Sequence, residues 1–444
     1  MKRLLCLALF MQSLLFPVGE AGAEWLLIQP GAGPAGIGNA MVTRTDNSLM
    51  SYYNPAGLAF LINSHVSFSR FEWIPGFNPD MYHNFLSFSH QLNETTVLGG
   101  NVIYFYDNIQ YCYSGGCQDM SNEFWSITLN YSLMLSSSSS VGFGLKAFKQ
   151  NWIDFGAGGE KGPSQTDYYA FDIGYLKKFK ALDFGVSIVN MRDGISTIDP
   201  AQADPSPINL RTGISSVVYD DVGSLRLSFD IQKLLVASYA DMDWDGDGYI
   251  GRYDENGHIY PMGDYNSSGQ QETAHTEENW FVGMFTSWID DWLLGGDRDI
   301  PANNESDGKI GGYDWDDKNN DGVINIDQEE IIEAGINPGN DINFGDPGWG
   351  IYNRAGVIEV GNGDNRSIQN EIDKLQYSYG IEYEYKHFVF RYGYYYGKEV
   401  KIEYSSYGLG YNYKGFQIDY AQLGGEEGYP FREGTQYFSL SYEF

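Results

Sequence analysis

The sequence has few basic residues, few cysteines and few long apolar runs, and each shortage excludes a class of protein. It contains 27 Lys and Arg but 59 Asp and Glu, a formal net charge of −32. This excess of acid argues against nucleic acid as a partner, because nucleic acid requires basic surfaces. Beyond the N-terminus no stretch has about eighteen consecutive apolar residues, so no membrane-spanning helix is expected. No nucleophile motif, His pair or Gly-rich phosphate loop is present, which argues against an enzyme.

The first 23 residues have the composition of a secretory signal peptide. Lys2 and Arg3 precede an apolar stretch over residues 4–18, and Ala21-Gly22-Ala23 provides a small-x-small cleavage site before Glu24. A retained membrane helix is the alternative, but the apolar stretch is short for one. We therefore expect an exported protein whose mature chain keeps two of the three cysteines.

What the sequence has in abundance is alternation with a period of two residues. In residues 375–385, Leu, Tyr and Ile alternate with Gln, Ser, Gly and Glu, and residues 438–444 repeat the pattern and end on Phe444. Successive side chains of a β-strand point to opposite faces, so each run has an aromatic-rich apolar face and a polar one. Runs of about ten such residues are typical of transmembrane barrels, apolar towards lipid and polar towards the lumen. This explains how a chain with a mean hydropathy of −0.36 can span a membrane.

Fourteen runs can be counted, an even number, as a single-chain bacterial barrel requires. They are residues 62–73, 82–92, 94–106, 122–134, 138–151, 168–178, 181–191, 207–218, 223–235, 374–386, 387–396, 402–413, 414–424 and 434–444. Every second connection is short, whereas others are longer, namely 107–121, 152–167, 192–206, 236–373 and 425–433. This is the asymmetry of periplasmic turns and extracellular loops. The sequence predicts an all-β fold, a 14-stranded antiparallel outer-membrane β-barrel; a soluble β-sandwich with a large insert is the alternative.

Two segments lie outside the predicted strands. Residues 24–61 are rich in Gly and Ala and are predicted to form an N-terminal plug in the lumen. Residues 236–373 form a large acidic insertion, which the rhythm of the connections places on the cell surface. The predicted organisation is a signal peptide (1–23), a plug segment (24–61), barrel strands 1–9 (62–235), the extracellular insertion (236–373) and barrel strands 10–14 (374–444).

The insertion concentrates the acidic charge and carries a calcium-loop motif. Residues 236–373 contain 30 Asp or Glu and 6 Lys or Arg, a local net charge of −24. Residues 243–254 match an EF-hand-type loop, with Gly248 at position six, where the chain must turn sharply. Carboxylates at positions one, three, five and twelve and a backbone carbonyl at position seven are the oxygen ligands that Ca²⁺ prefers. The predicted ligands are Asp243, Asp245, Asp247, Tyr249 and Asp254; an acidic, solvated turn is the alternative.

Two further loops of the insertion are less complete copies of this motif. The second aligns with the first position by position and supplies Asn303, Glu305, Asp307, Lys309 and Asp314. The third has Gln328 instead of an acid at its twelfth position and supplies Asp317, Asn319, Asp321 and Val323. Residues 327–335, with a capping box and a terminal Gly, predict a short helix. Structural Ca²⁺ in the insertion is therefore the predicted cofactor.

Two smaller groups of residues also carry predictions. Cys112 and Cys117 flank a Gly-Gly pair, and we predict a disulfide at the tip of a surface loop. Metal ligation is the alternative, although no His or further Cys lies nearby. Four charged residues on the polar faces of strands are interpreted as lining a polar, water-facing lumen, with a catalytic cluster as the alternative; they are Glu382, Glu384, Arg391 and Asp419.

The N-terminal segment carries a family signature. Residues 28–41, Ile-Gln-Pro-Gly-Ala-Gly-Pro-Ala-Gly-Ile-Gly-Asn-Ala-Met, and the motif Asn54-Pro55-Ala56-Gly57-Leu58 resemble the PorV/PorQ family of outer-membrane proteins, itself similar to the FadL-type fatty-acid channels. Residues 408–420 and 439–444 also look like that family. Two features depart from it. Gly33 stands where the family usually has a basic residue, and the insertion is not part of the family pattern.

The resemblance implies a fourteen-stranded barrel with an N-terminal plug and a non-enzymatic role. PorV-like members serve the type IX secretion system, so the partners would be secreted or surface-attached proteins and the secretion machinery. FadL-like members take up hydrophobic molecules such as long-chain fatty acids. The main hypothesis is thus a secretion-linked scaffold in outer-membrane lipid, with wide loops and a firmly plugged lumen. The alternative is a transporter for hydrophobic solutes, with an apolar site between plug and wall and a gap leading out.

Overall fold

The computed structural model divides the chain into two units. One unit consists of Met1–Arg192, Ser206–Leu234 and Asp373–Phe444, and the other of Asp193–Pro205 and Leu235–Ile372. The first unit contains the barrel and positions the candidate site. The described residues are 21–76, 78–113, 116–153, 164–195, 205–236, 252–253, 259–260, 280–288, 313–315, 331–333, 368–398, 400, 402–426 and 434–444.

Fourteen strands form a closed antiparallel barrel, in which successive barrel strands pair, the strands on either side of the insertion pair with each other, and the first strand closes on the last. The predicted all-β, 14-stranded architecture is confirmed. Numbered along the chain, the strands are β1 His65–Ile74, β2 Asn78–Asn93, β3 Thr96–Tyr113, β4 Gly116–Ser136, β5 Ser139–Ile153, β6 Ser164–Lys178, β7 Asp183–Met191, β8 Asn209–Asp220, β9 Ser224–Leu234, then β10 Arg252–Tyr253, β11 Ile259–Tyr260, β12 Tyr313–Trp315 and β13 Ile331–Glu333 in the insertion, then β14 Gln376–Tyr385, β15 Phe388–Gly397, β16 Ile402–Tyr413, β17 Phe416–Glu426 and β18 Gln436–Glu443.

The alternation of the sequence becomes an alternation of faces in each barrel strand. In β1, Ser67 and Ser69 are buried, whereas Phe68 between them is 45 % exposed. Large apolar side chains are exposed on the outer face around the barrel, among them Leu86, Ile127, Leu129, Phe143, Leu145, Phe171, Ile173, Ile381, Phe390, Leu409, Ile418 and Leu440. A closed barrel satisfies its backbone internally, and an apolar outer face suits hydrocarbon. The protein is an outer-membrane β-barrel.

Residues 24–61, hereafter the plug, precede β1 and fold as four short helices. These are two 3₁₀ helices, Glu24–Leu27 and Pro55–Phe60, and two α-helices, Ala32–Gly36 and Met50–Tyr53. Nearly all plug side chains are buried, and plug backbone groups bond to inward-facing side chains of strands on opposite sides of the barrel. Ala32 N donates to Ser439 Oγ on β18 at 2.7 Å, and Ser187 Oγ on β7 donates to Tyr53 O at 2.8 Å. The plug therefore lies in the lumen.

The hairpin of β3 and β4 corrects one prediction and bears on another. Residues 107–121 were expected to form an open loop, but β3 continues to Tyr113 and β4 begins at Gly116. These strands have 18 and 21 residues, about twice the number needed to span a membrane. Strand residues beyond the membrane need no apolar face, so the alternation disappears there. Cys112 is the direct register partner of Cys117, a neighbourhood compatible with a bridge; the disulfide itself stays a prediction.

The insertion contributes two small antiparallel sheets, β10 with β11 and β12 with β13, and the helices Trp280–Thr286 and Ile368–Asp373. Ile331–Glu333 is a strand where the sequence predicted a helix over 327–335, because pairing with β12 outweighs local propensity. Within the described ranges, no helix is long and apolar enough to cross a membrane. Asp314 lies in β12, and the other predicted calcium ligands lie outside the described residues, namely Asp243, Asp245, Asp247, Tyr249, Asp254, Asn303, Glu305, Asp307, Lys309, Asp317, Asn319, Asp321 and Val323.

Candidate functional site

The motif Asn54–Leu58 joins the plug to the barrel wall. Asn54 is fully buried, begins a 3₁₀ helix, and accepts a hydrogen bond from Ala56 N at Oδ1 (3.1 Å). Its Nδ2 donates to Val42 O at 2.9 Å and to Tyr175 O at 3.2 Å. One side chain therefore links this helix, an earlier plug loop and β6.

The wall that contacts this motif is built from small residues. A Cβ atom at Gly142 would overlap the carbonyl group of Pro55, and one at Gly174 would overlap Asn54 Oδ1. Only glycine lets the plug backbone approach this closely. Three wall hydroxyls then donate to plug carbonyl oxygens at 2.7–2.8 Å, those of Ser132, Ser140 and Ser187.

A buried ion network joins the plug to the opposite wall. Arg44 donates to Glu382 Oε1 at 2.7 Å, and Arg391 donates to Glu382 Oε2 at 2.7 Å and to Asp419 Oδ1 at 2.6 Å. Arg44 also pairs with Asp46, whose side chain is 44 % exposed. Burial works to lower the pKa of Arg44, but the carboxylates of Asp46 and Glu382 outweigh burial and raise that pKa above its ordinary value. Arg44 therefore remains charged within the lumen.

Arg211 on β8 provides a third attachment. Its side chain is buried, and it donates from Nη1 to Tyr52 O at 2.8 Å while its guanidinium lies 4.6 Å from the centre of the Tyr52 ring. Tyr52 is in the last turn of the helix Met50–Tyr53, where a cation interacts favourably with the helix dipole. The plug is thus bonded to β4–β8 on one side and to β14, through Arg44, on the other.

Inward-facing side chains change character along the barrel axis. We call the end from which the insertion leaves the insertion end, and the opposite end, with the short connections, the turn end. Near the insertion end, five adjacent strands place register partners side by side, and their rings form what we call the aromatic row: Tyr437, Phe71, His83, Phe105 and Phe124. Each is at most 2 % exposed, and neighbouring ring centroids are 4.1, 5.0, 6.4 and 5.9 Å apart in that order.

The plug continues the aromatic row. The ring of Trp25, from the first helix of the plug, lies 5.7 Å from Phe124 and 6.4 Å from Phe148. Phe148 in turn lies 6.0 Å from Tyr168 on β6. A continuous series of ring contacts therefore leads from the aromatic row, past the plug, to β6.

Some polar atoms beside these rings have no hydrogen-bond partner among the described residues. His83 is 0 % exposed, and neither Nδ1 nor Nε2 has a partner; the same holds for Trp25 Nε1 and Ser69 Oγ. Unpartnered atoms also occur nearer the turn end, at Thr128 and Asn130, but those side chains lie in a polar layer. Buried polar groups are usually bonded, but no described residue bonds this imidazole.

The barrel wall is irregular between β6 and β7. After a register shift, the described pairing of these strands ends at Phe171 and Met191, whereas β6 continues to Ser164 and pairs there with β5. We call this further part of β6, residues 164–170, the seam. The guanidinium of Arg192 lies 3.7 Å from the centre of the Tyr168 ring at the seam. Ring contacts from the lumen thus end where the described pairing of β6 with β7 stops.

A buried cluster of three polar side chains lies next to the point on β6 where the seam begins. Lys146 Nζ lies 3.3 Å from Asp172 Oδ2 and also donates to Asn190 Oδ1, and Asn190 N donates to Asp172 Oδ1 at 2.8 Å. Asn190 has a φ of 62°, which interrupts the extended backbone of β7. These contacts stabilise the register shift between β6 and β7, next to the point where their described pairing stops.

The sequence identified only part of this site. Glu382, Arg391 and Asp419 come together on the inner face of the barrel, as expected, but in a buried ion network, so the prediction that these three face water was wrong. Glu384 is exposed near the turn end. Sequence reasoning missed the aromatic row. Its signal was the uninterrupted apolar run Val-Ile-Tyr-Phe-Tyr at 102–106, which makes both faces of β3 apolar. In the described part of the chain, no group of three His, Cys, Asp or Glu side chains could hold a metal ion.

The sequence matches no protein-family model and no curated protein. Solved structures similar in fold include the toluene transporter TodX of Pseudomonas putida, 10 % identical, with a TM-score of 0.46, covering 93 % of this chain and 98 % of that chain. The toluene transporter TbuX of Ralstonia pickettii is also 10 % identical, with a TM-score of 0.45 and the same coverage. CdiB from Acinetobacter baumannii is 10 % identical, with a TM-score of 0.33, covering 86 % and 60 %. At this identity the likeness concerns the fold alone.

Proposed function

We propose that the protein is a channel for hydrophobic molecules, which contact the aromatic row and leave the barrel sideways through the seam. The observation that carries the proposal is the row itself, five buried rings on adjacent strands facing the lumen. A water-filled pore has a polar interior, whereas sites for apolar solutes are lined by aromatic and aliphatic side chains.

The plug makes an axial route costly. A solute that crossed it would have to break the hydrogen bonds of Asn54 and of the wall serines, each worth about 1 kcal/mol net, and the buried pairing of Arg44 with Glu382. The contact between Arg192 and Tyr168, a cation–π pair of about 0.5–2 kcal/mol, is one of those that would be lost on opening the seam. An apolar solute leaving there would enter hydrocarbon directly.

Substitution at the seam tests this route. Ala170 is buried on the inner face of β6, within the seam, so the bulk of Ala170→Trp should obstruct it from inside. We expect cells carrying this variant to take up a radiolabelled long-chain fatty acid or naphthalene no faster than cells lacking the protein. Arg192→Ala, which removes the cation–π contact, should increase uptake.

Ala147→Trp is the matched control. Ala147 is on the adjacent strand β5, opposite Tyr169, and faces outwards, so the same bulk enters lipid and uptake should stay normal. Unchanged uptake by folded Ala170→Trp protein would refute the lateral route. Equal uptake by cells with and without the wild-type protein would refute the channel function altogether.

A secretion-linked scaffold of the PorV type is the second candidate. The observation that favours it is the firmly bonded plug, with Asn54 of the resembling motif at its centre. A scaffold needs no open lumen, so it would tolerate Ala170→Trp. Deleting the gene should then leave surface proteins unanchored or trapped in the periplasm, with solute uptake unchanged. Intact secretion in the deletion strain would remove this candidate.

We also propose that Ca²⁺ orders the insertion. The support is the spacing of Asp243, Asp245, Asp247 and Asp254 together with the local net charge of −24, because converging carboxylates repel one another until a cation binds. Calcium here would have a structural role and no part in solute passage.

A further inference from the structure

We propose that His83 is the specificity-determining residue of this path and favours hydrophobic solutes that carry one hydroxyl group over hydrocarbons of the same shape. The inference rests on the proposed function, because it names the class of solute that the aromatic row takes. It concerns one side chain of the row and leaves the route through the seam unchanged.

The position of His83 leaves its nitrogen atoms without a partner among the residues that the structure describes. Its ring stacks on Phe71, with centroids 5.0 Å apart and an interplanar angle of 25°, and Phe105 lies at 6.4 Å on the other neighbouring strand. Ring contacts satisfy the faces of an imidazole but not its nitrogens, which lie in the ring plane. Both nitrogens are buried and without a partner among the described residues.

The chemistry of a neutral imidazole selects the partner. One nitrogen donates a hydrogen bond and the other accepts one. A hydroxyl group can also do both, whereas a hydrocarbon can do neither. A buried site built to bond a hydroxyl rejects the analogue that lacks it, since the polar group of the site is then left unpaired.

Phenol and toluene are suitable probes because they differ by a hydroxyl in place of a methyl group. Binding of each radiolabelled probe to the full chain in detergent is measured by equilibrium dialysis, with binding to empty micelles subtracted. His83→Phe keeps the stacking and removes both nitrogens. We expect it to weaken phenol binding about three- to tenfold, the value of one net hydrogen bond, and to leave toluene binding unchanged or tighter.

Two further variants separate specificity from packing. His83→Gln keeps a donor and an acceptor and should retain most of the phenol binding, and Phe105→Leu should weaken both probes equally. Heat-modifiable gel mobility verifies that each variant is folded. If His83→Phe weakens phenol and toluene equally, or neither, His83 is bonded only by buried water and the inference is wrong. If wild-type protein binds neither probe, the channel function itself fails.

Discussion

The turn end and the insertion end of the lumen differ in the size of the side chains that line them. At the turn end, Gly142 and Gly174 let the plug backbone approach the wall, and Ser132 bonds it there. Near the insertion end the wall carries the aromatic row, and the plug contributes only the ring of Trp25 to it. Small polar side chains and buried ion pairs therefore fix the plug, whereas the large rings are the surface that we propose another molecule contacts.

The difference teaches that the lumen has two separate tasks. The hydrogen bonds to the carbonyl oxygens of the plug do not involve the rings of the aromatic row, so we expect them to persist whatever the row binds. Mutations at the turn end should therefore change stability and assembly, and mutations in the aromatic row should change solute binding.

The largest effect is expected at Gly174. The Cβ atom of a valine there would overlap Asn54 Oδ1, so the motif Asn54–Leu58 could not pack against β6. We expect Gly174→Val to abolish the heat-modifiable folded band in outer-membrane preparations. Gly33→Ala is the control, because a Cβ at Gly33 would meet Asp419 only at an ordinary 3.6 Å. A normally folded Gly174→Val protein would show that the barrel does not require this close contact between the motif and β6.

The ion network should respond unequally to its two arginines. Arg391→Ala leaves Glu382 and Asp419 buried without that cation, and breaking a buried pair in this way costs about 3–5 kcal/mol. Arg44→Ala should cost less, since Glu382 keeps Arg391 and Asp46 is partly exposed. Urea unfolding in lipid vesicles measures both free energies. Equal losses would indicate that the network does not centre on Arg391.

The barrel was predictable because lipid imposes a period of two on every strand that crosses it. Where that constraint ends, prediction failed: the sequence of residues 107–121 has no alternation, so the hairpin looked like a loop. The aromatic row was missed for the opposite reason, since apolar residues on both faces of β3 at 102–106 hide the alternation.

The plug contacts lay beyond sequence reasoning. Arg44 and Glu382 are 338 residues apart, and nothing local indicates that one pairs with the other. Asn54 was singled out only as part of a motif that resembles a family, and its three hydrogen bonds give that motif a physical reason. The calcium loops could be recognised from spacing alone, because an EF-hand-type loop carries its ligands in one short segment.

A moderate effect is expected for Asn54→Ala. The change removes the bond to Ala56 N and leaves Val42 O and Tyr175 O without their donor, a cost of about 1–3 kcal/mol for buried groups. The plug should become sensitive to protease added from the periplasmic side while the barrel band persists. Ser136→Ala, at the exposed last position of β4, is the control and should remain resistant. A protease-resistant Asn54→Ala plug would show that other bonds suffice.

Removing calcium is expected to have the smallest effect. It should change neither the plug contacts at the turn end nor solute binding near the insertion end. Asp243, Asp245, Asp247 and Asp254 are predicted to converge on one cation, and without it the local charge of −24 disfavours a compact insertion. Chelation should therefore make the insertion protease-sensitive, and Asp245→Ala with Asp247→Ala should do the same without a chelator. Plug protection and phenol binding should not change, since neither involves the insertion's carboxylates. If the insertion is equally protease-resistant with and without calcium, the proposed calcium site is wrong and the segment is only an acidic loop. If chelation also makes the plug protease-sensitive, the plug and the insertion are not independent.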